Sequence, residues 1–302
     1  MFNRDYEFKY LAKTFDEEVT LAHGETEQAR FNAWLAEKLA TPYFCEKHPQ
    51  TRLVLDLASS GINQAYEEYR YGETYPRERP GIFHFRAALR CPACRCAYAL
   101  CPPEFHTTSF ETFDTSTTER ANALARCREF TAQVNKHGCG FEELVGRPGT
   151  GKTLLACNIV RELNIIDALY TRQGELTVAL RATYGRKDVF LHRPRDEGDE
   201  DSPPTPLEIV QRVRFVILDE LGCNPLANDE RLLLDELIKH RYDERKPTIL
   251  ISNLPLDQLK EFLGDALTDR IKHATGNGKF ILQFSGESYR RTAGENYLEG
   301  LK

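Results

Sequence analysis

Gly146-Arg147-Pro148-Gly149-Thr150-Gly151-Lys152-Thr153 stands between an apolar run, Leu144-Val145, and a helical pattern carried by Leu154, Leu155, Ile159, Val160 and Leu163. This is the full spacing of a phosphate-binding loop. Gly146, Gly149 and Gly151 let successive backbone N–H groups turn inward around a β-phosphate, and the helix that follows adds its positive N-terminal end. Within that pattern Pro148 and Thr150 complete the cradle, Lys152 reaches the β- and γ-phosphates, and the Thr153 hydroxyl ligates Mg²⁺. The order of strand, loop and helix predicts an α/β fold that binds a nucleoside triphosphate.

The pattern on both sides is regular. A helix over residues 120–134 and a strand over 141–145 precede the loop. After its helix come a strand (165–170), a helix (175–184), an apolar strand (215–218), a helix (229–242), a strand (248–252), two short helices (256–263 and 266–273) and a last strand (280–284). Short strands that are apolar throughout, alternating with helices, indicate a parallel sheet covered on both faces. Residues 193–206 interrupt the alternation with Asp196, Glu197, Asp199, Glu200 and Asp201 among four prolines, and read as a solvated loop.

Arg214-Phe215-Val216-Ile217-Leu218-Asp219-Glu220 is the second decisive stretch. Four apolar residues make a buried strand whose C-terminal edge delivers two carboxylates beside the phosphate loop. Asp219 is placed to hold the Mg²⁺ shell, and Glu220 to orient and polarise an attacking water. That second carboxylate separates hydrolases from simple nucleotide binders. Asn253 follows the strand 248–252, expected to lie next to the Asp219 strand, and its amide is a candidate sensor of the γ-phosphate and the water. An ordinary turn Asn before Leu254-Pro255 is the plain alternative.

Composition sets the outer limits. The chain has 302 residues and a formal net charge of -6, which argues against a wholly basic DNA-coating protein. Neither a membrane-spanning run nor a signal peptide is evident, so a cytoplasmic location is expected. Residues 17–40 read as an amphipathic helix carrying Leu21, Phe31, Trp34, Leu35 and Leu39. A short strand (53–55), a helix through Tyr66 and Tyr69 and a strand (82–89) follow. The Thr- and Ser-rich stretch 107–118 reads as a linker between an N-terminal domain, 1–106, and a nucleotide-binding domain, 119–302.

Nine cysteines in a cytosolic chain point to thiols or metal ligands rather than disulfides. Cys127, Cys139, Cys157 and Cys223 are scattered and read as buried small hydrophobes. Cys45-x2-His48 and Cys91-x2-Cys94 have ligand spacing and together can form one closed tetrahedral Zn²⁺ site. A local set of Cys91, Cys94, Cys96 and Cys101, metal-free thiols and an iron–sulfur cluster are the alternatives. No open coordination position or nearby base is suggested, so a metal here would be structural.

The ordered set of phosphate loop, Leu218-Asp219-Glu220-Leu221-Gly222, Ser252-Asn253, Thr268-Asp269-Arg270 and Ser288-Tyr289-Arg290 resembles the DnaC/IstB family of AAA-type ATPases over roughly residues 107 to 292. The resemblance implies an AAA-type core with a five-stranded parallel sheet and no C-terminal helical lid, joined to a small N-terminal α+β zinc-binding domain. It implies ATP, Mg²⁺ and a ring or spiral homo-oligomer. Arg270 inherits the family's arginine finger, donated to a neighbour's γ-phosphate, and Arg290 its second sensor; a guanidinium stays charged and suits both tasks. Helicase loaders of phages and mobile elements look similar upstream, which favours Cys45, His48, Cys91 and Cys94 as the zinc set. The expected function is an ATP-dependent helicase loader acting on single-stranded DNA and a replicative DNA helicase, with the N-terminal domain binding the partner. The alternatives are a transposition helper delivering target DNA to a transposase and a small-molecule kinase.

Overall fold

The computed structural model describes residues 11–22, 24–67, 77–163, 167–181 and 206–289, which fall into two compact units. The smaller, residues 6–95, contains β1 (Leu11–Thr20), α1 (Glu27–Leu39), β2 (Val54–Glu67) and β3 (Arg77–Arg90). Its three strands form an antiparallel sheet in the order β1-β3-β2. Thr26 caps α1 by accepting from the backbone N–H of Ala29 at 3.3 Å. The helix buries Phe31 and Trp34 on Phe85, with ring centroids 5.3 and 5.7 Å apart.

Two expectations are corrected in this unit. The helix expected over 17–40 begins only at Glu27. Phe15 and Val19 pack into the core while Glu18 and Thr20 face solvent, a period of two that makes residues 11–20 a strand against β3. Tyr66, expected in a helix, belongs to β2, which runs on to Glu67 because β3 offers it a partner along most of its length. Tyr69 lies outside the described residues.

The division between the units falls between Arg95 and Cys96, inside the short helix α2 (Pro92–Tyr98), rather than at the linker expected over 107–118. That stretch is no linker. The 3₁₀ turn Phe110–Thr112 and Phe113 after it bury Phe110 and Phe113 in the core of the larger unit.

In the larger unit α3 (Thr118–His137), β4 (Phe141–Gly146), α4 (Lys152–Glu162), β5 (Ala168–Arg172), α5 (Gln173–Arg181), α6 (Pro206–Arg212), β6 (Phe215–Leu221), α7 (Asn228–Asp243), β7 (Thr248–Ser252), α8 (Leu256–Leu263), α9 (Asp265–Ala274) and β8 (Ile281–Phe284) follow in turn. The five strands are parallel, in the order β5-β6-β7-β4-β8, as the alternation of apolar strands and helices requires. Leu124 and Phe130 of α3 and Leu155 and Ile159 of α4 pack on one face of the sheet. Leu233 and Leu237 of α7, Leu259 of α8 and Ile271 of α9 pack on the other. Cys127 and Cys157 are buried small hydrophobes as expected, whereas Cys139 is half-buried and Cys223 exposed, since both sit in connections rather than on a packed face. Arg290 and nearly all of the insert 193–206 lie outside the described residues.

Arg241 joins several parts of this unit. Fully buried, it donates through Nε to Thr248 Oγ1 at 2.8 Å and through its two amino groups to the carbonyls of Val210, Val213, Arg214 and Pro247 at 2.8 to 3.0 Å. One planar fork thereby closes the end of α6, the start of β6 and the approach to β7.

Strand β4, between β7 and β8, also carries two buried carboxyls. Burial pushes Glu142 up to about 8, opposed only weakly by the neighbouring Cys127 thiol, and pushes Glu143 up to about 7 against the charge of Lys260. Unfolded, such a group titrates near 4.5. Between these values the folded chain keeps a proton that the unfolded chain has released, so Glu142's contribution is full below about pH 4.5 and is lost as pH rises toward 8. Glu142→Gln is expected to stabilise the protein by about 3 kcal/mol near neutral pH and to flatten the decline between pH 5 and 8. Urea unfolding of both proteins at pH 5, 7 and 8 measures this; parallel pH profiles would refute the assignment.

Candidate nucleotide site and metal centre

The loop after β4 has the geometry its glycines predict. Gly146 has φ of 120°, and a Cβ there would stand 2.2 Å from the backbone carbonyl oxygen of Phe284. Gly151, φ 95°, leads into α4 under the rings of Phe113 and Tyr289, 2.9 and 3.4 Å from where its Cβ would be. Both positions need glycine for conformation and for space. The Lys152 ammonium, almost wholly buried, donates to the carbonyls of Gly146 and Arg147 at 2.7 and 2.6 Å, and the Thr150 hydroxyl to that of Arg147 at 2.8 Å.

β6 brings the carboxylates to the loop. Thr153 Oγ1 donates to Asp219 Oδ2 at 2.8 Å, and Tyr170 on β5 donates to the same oxygen at 3.0 Å. Because the Thr153 proton points at Asp219, its lone pairs are free to face a cation. Hydroxyl and carboxylate oxygens are the hard donors Mg²⁺ takes, so the residues present fit that ion. Glu220 follows at φ 61°, where the register of β6 against β7 shifts between Leu218 and Leu221. Its side chain lies 3.7 Å from Arg172 Nε, and that guanidinium also approaches Glu175 at 3.6 Å. Burial, reinforced by the charge of Asp219, holds the Tyr170 phenol well above its usual range.

A cavity of about 380 Å³ gathers most of the site. Pro148, Gly149, Gly151, Lys152 and Thr153 line it together with Asp219, Glu220 and Asn253. Asn253 is exposed and its amide donates to Cys223 Sγ at 3.7 Å, so it stands on the rim. Arg270 is not among the lining residues. It sits on α9 and donates to the carbonyl of Ala266 at 3.1 Å.

The sequence reading missed the cavity's remaining wall. Phe105, Thr112, Phe113 and Asp114 precede α3, and Tyr289 closes over them from the far end of the chain. The Tyr289 N–H donates to the Gly149 carbonyl at 2.8 Å and its hydroxyl to the Asp114 carbonyl at 3.3 Å, while the Arg120 guanidinium lies 4.0 Å from its ring centre. Glu119 accepts from the N–H groups of Ser285 and Gly286 and from the Ser285 hydroxyl, which hold it below the usual carboxylate range. The one available signal was Tyr289 inside the Ser-Tyr-Arg motif.

The smaller unit holds the second site. The sulfurs of Cys45, Cys91 and Cys94 stand 3.8, 3.6 and 3.4 Å from His48 Nδ1, and Cys45 Sγ is 3.7 Å from Cys94 Sγ. A tetrahedral zinc requires about 3.6 Å for S···N and about 3.8 Å for S···S. The four atoms therefore fit that ion, with Nδ1 rather than Nε2 as the ligand. Burial and its neighbouring thiols push Cys94 up to about 12 and burial pushes Cys91 up. Burial also acts on Cys45, but hydrogen bonds from Cys91 and the backbone of His48 and Lys47 hold it below its usual value. Three thiols this close ionise together only beside a cation. The local alternative with Cys96 and Cys101 is not formed, because both are buried in the larger unit's core, where Cys96 Sγ lies 3.6 Å from the Cys157 carbonyl.

Among the described residues no helix is long and apolar enough to cross a membrane. Residues 142–296, just over half of the chain, match the family described as IstB-like ATP binding protein. The replicative helicase loader DnaC of Escherichia coli is 26% identical over 192 residues, covering 63% of this chain and 72% of that protein. The DnaC of Buchnera aphidicola subspecies Baizongia pistaciae is 26% identical over 186 residues, 61% and 69% of the two chains. A crystal structure of the DnaC helicase loader, 21% identical, overlays with a TM-score of 0.50 across 61% of this chain and 100% of that one, a likeness of fold. The loop, the carboxylates of β6 and the five-stranded order all fall within these matches, and the chain belongs to the DnaC/IstB family of AAA-type ATPases.

Proposed function

We propose that this chain is an ATP-dependent helicase loader, in which ATP binding joins subunits on single-stranded DNA and hydrolysis releases a replicative helicase. The observation that carries the reading is the absence of Arg270 from the cavity lined by Lys152, Thr153, Asp219, Glu220 and Asn253. A positive charge is needed where negative charge spreads over the transferring phosphoryl oxygens, and a second subunit is the natural source. Arg270 on α9 of one subunit then serves the loop of the next, and Arg290, two residues beyond Ser288, acts as the second sensor. The zinc-bearing unit, with its own core, is the part that binds the helicase. Names of the relatives support the loader reading; the IstB-like family description supports transfer of target DNA to a transposase as the second reading.

The subunit arrangement is tested by mixing two inactive variants. Lys152→Ala subunits cannot hold ATP productively, and Arg270→Ala subunits cannot donate a finger, but a mixed interface contains one intact site. Recovery of ATP hydrolysis on mixing is expected, up to about a quarter of the wild-type rate for random pairing. No recovery at any ratio means that Arg270 acts elsewhere. Retention of the cognate replicative helicase on the immobilised chain, and not of a transposase from the same genome, is the expected partner result; the reverse selects the transposition reading.

A further inference from the structure

Tyr170 is a buried phenol in an otherwise apolar part of the core. It packs with Phe215 and Ile217 on the α4 face of the sheet, where a phenylalanine would fill the same space. Burying a hydroxyl without a partner is costly, so its direction is informative. It donates to Asp219 Oδ2 at 3.0 Å.

The sheet register explains the reach. β5 pairs with β6 so that Tyr170 stands beside Ile217 and Arg172 beside Asp219. Residues two apart on a strand share a face, which puts Tyr170, Arg172 and Asp219 on one side of the sheet. The Asp219 carboxylate is thereby fixed at three points. Oδ1 accepts the Glu220 N–H at 2.7 Å, and Oδ2 accepts both Thr153 Oγ1 at 2.8 Å and Tyr170. Of these donors, Thr153 belongs to the loop that meets the phosphates, and the Glu220 N–H belongs to the bulge where the strand register shifts. Tyr170 alone comes from a rigid, buried side chain of a neighbouring strand. Its oxygen also accepts from Arg172 Nε at 3.4 Å, the guanidinium that approaches Glu220.

We propose that Tyr170 is a positioning residue for the metal-binding carboxylate: its hydroxyl fixes the plane of Asp219, and thus the place of the Mg²⁺ shell, independently of the phosphate loop. Preorganisation of this kind acts on the cation and leaves the metal-free affinity for nucleotide alone. The inference rests on nucleotide binding with Mg²⁺ at this site and not on hydrolysis.

The test uses the full chain and the Tyr170→Phe variant, which keeps the ring. Binding of a fluorescent ATP analogue is titrated with Mg²⁺ and, separately, measured in EDTA. Tyr170→Phe is expected to raise the Mg²⁺ concentration for half-saturation about tenfold and to leave the affinity in EDTA within about twofold of wild type. Arg172→Gln, which keeps the phenol on Asp219, should leave the Mg²⁺ half-saturation unchanged. An unchanged Mg²⁺ requirement in Tyr170→Phe overturns the proposal, and so does an equal loss of affinity with and without Mg²⁺, which would mark a merely structural role. Should Tyr170→Phe melt well below wild type, the titrations are repeated below its melting temperature in an Asp219→Asn background: no further Mg²⁺ defect on adding Tyr170→Phe supports action through that carboxylate, and an added defect overturns it. A wild-type chain that binds ATP with Mg²⁺ and never hydrolyses it would sink the loader reading and leave this one standing.

Discussion

Removing zinc is expected to unfold the smaller unit while the larger one stays folded and able to bind ATP. Among the described residues, the smaller unit has two modest clusters of buried side chains, one around Phe31, Trp34 and Phe85 and one around Leu53 and Leu89. Cys45 and Cys91 belong to the second, so the metal's ligands are themselves part of that core. A domain this small gains little from hydrophobic burial alone, and a structural zinc contributes on the order of 10 kcal/mol in comparable domains. Cys91→Ser, or a strong chelator, leaves the remaining thiols crowded together with no cation to ionise beside. Calorimetry of the intact chain should show two transitions, with the chelator abolishing one and ATP with Mg²⁺ raising the other. Purified protein with no bound zinc, and with both transitions indifferent to the chelator, would refute the site.

The Glu220→Gln variant should bind ATP with normal affinity and lose hydrolysis by about a hundredfold or more. Glutamine keeps the shape of the side chain and removes the charge that polarises a water. Glu220 is suited to that task by position. It lies one residue beyond Asp219, at a positive φ that swings it out of the strand's regular alternation and onto the cavity wall. Phosphate release under single-turnover conditions, measured beside fluorescent nucleotide binding, separates the two effects. Hydrolysis at the wild-type rate in this variant would refute Glu220 as the group that activates the water.

The parts of the site that were legible in the sequence are those written within a few residues. The loop declares itself through Gly146, Gly149, Gly151, Lys152 and Thr153, and the carboxylates through four apolar residues followed by Asp219 and Glu220. What stayed hidden depends on distant partners. Phe113 and Asp114 sit in a Thr- and Ser-rich stretch that looks like a linker until Tyr289, 175 residues beyond Asp114, packs against it. Tyr170 looked like one more apolar strand residue, because nothing local reveals where its hydroxyl points. β1 was concealed for another reason: Asp16, Glu17 and Glu18 blur a period of two carried by Phe15 and Val19.

The proposed zinc set was legible up to one ambiguity, which α2 resolves. Cys94 lies in its first turn, next to Cys91 just before the helix, whereas Cys96 is two residues further on. Two residues carry a side chain more than halfway around a helix, so Cys96 leaves the ligand face. Sequence spacing alone cannot tell which unit each of those faces belongs to.

The path of the chain around the nucleotide cavity also sets an order on its assembly during synthesis. All four proposed zinc ligands have been made once Cys94 has left the ribosome, so the smaller unit can fold then on local instructions. The cavity is different. Its phosphate loop follows β4, which β8 flanks, and its wall is closed by Tyr289 on Gly149 and Asp114. A nascent chain whose smaller unit has already folded still lacks a finished place for ATP, and becomes competent for nucleotide only once Tyr289 has been translated.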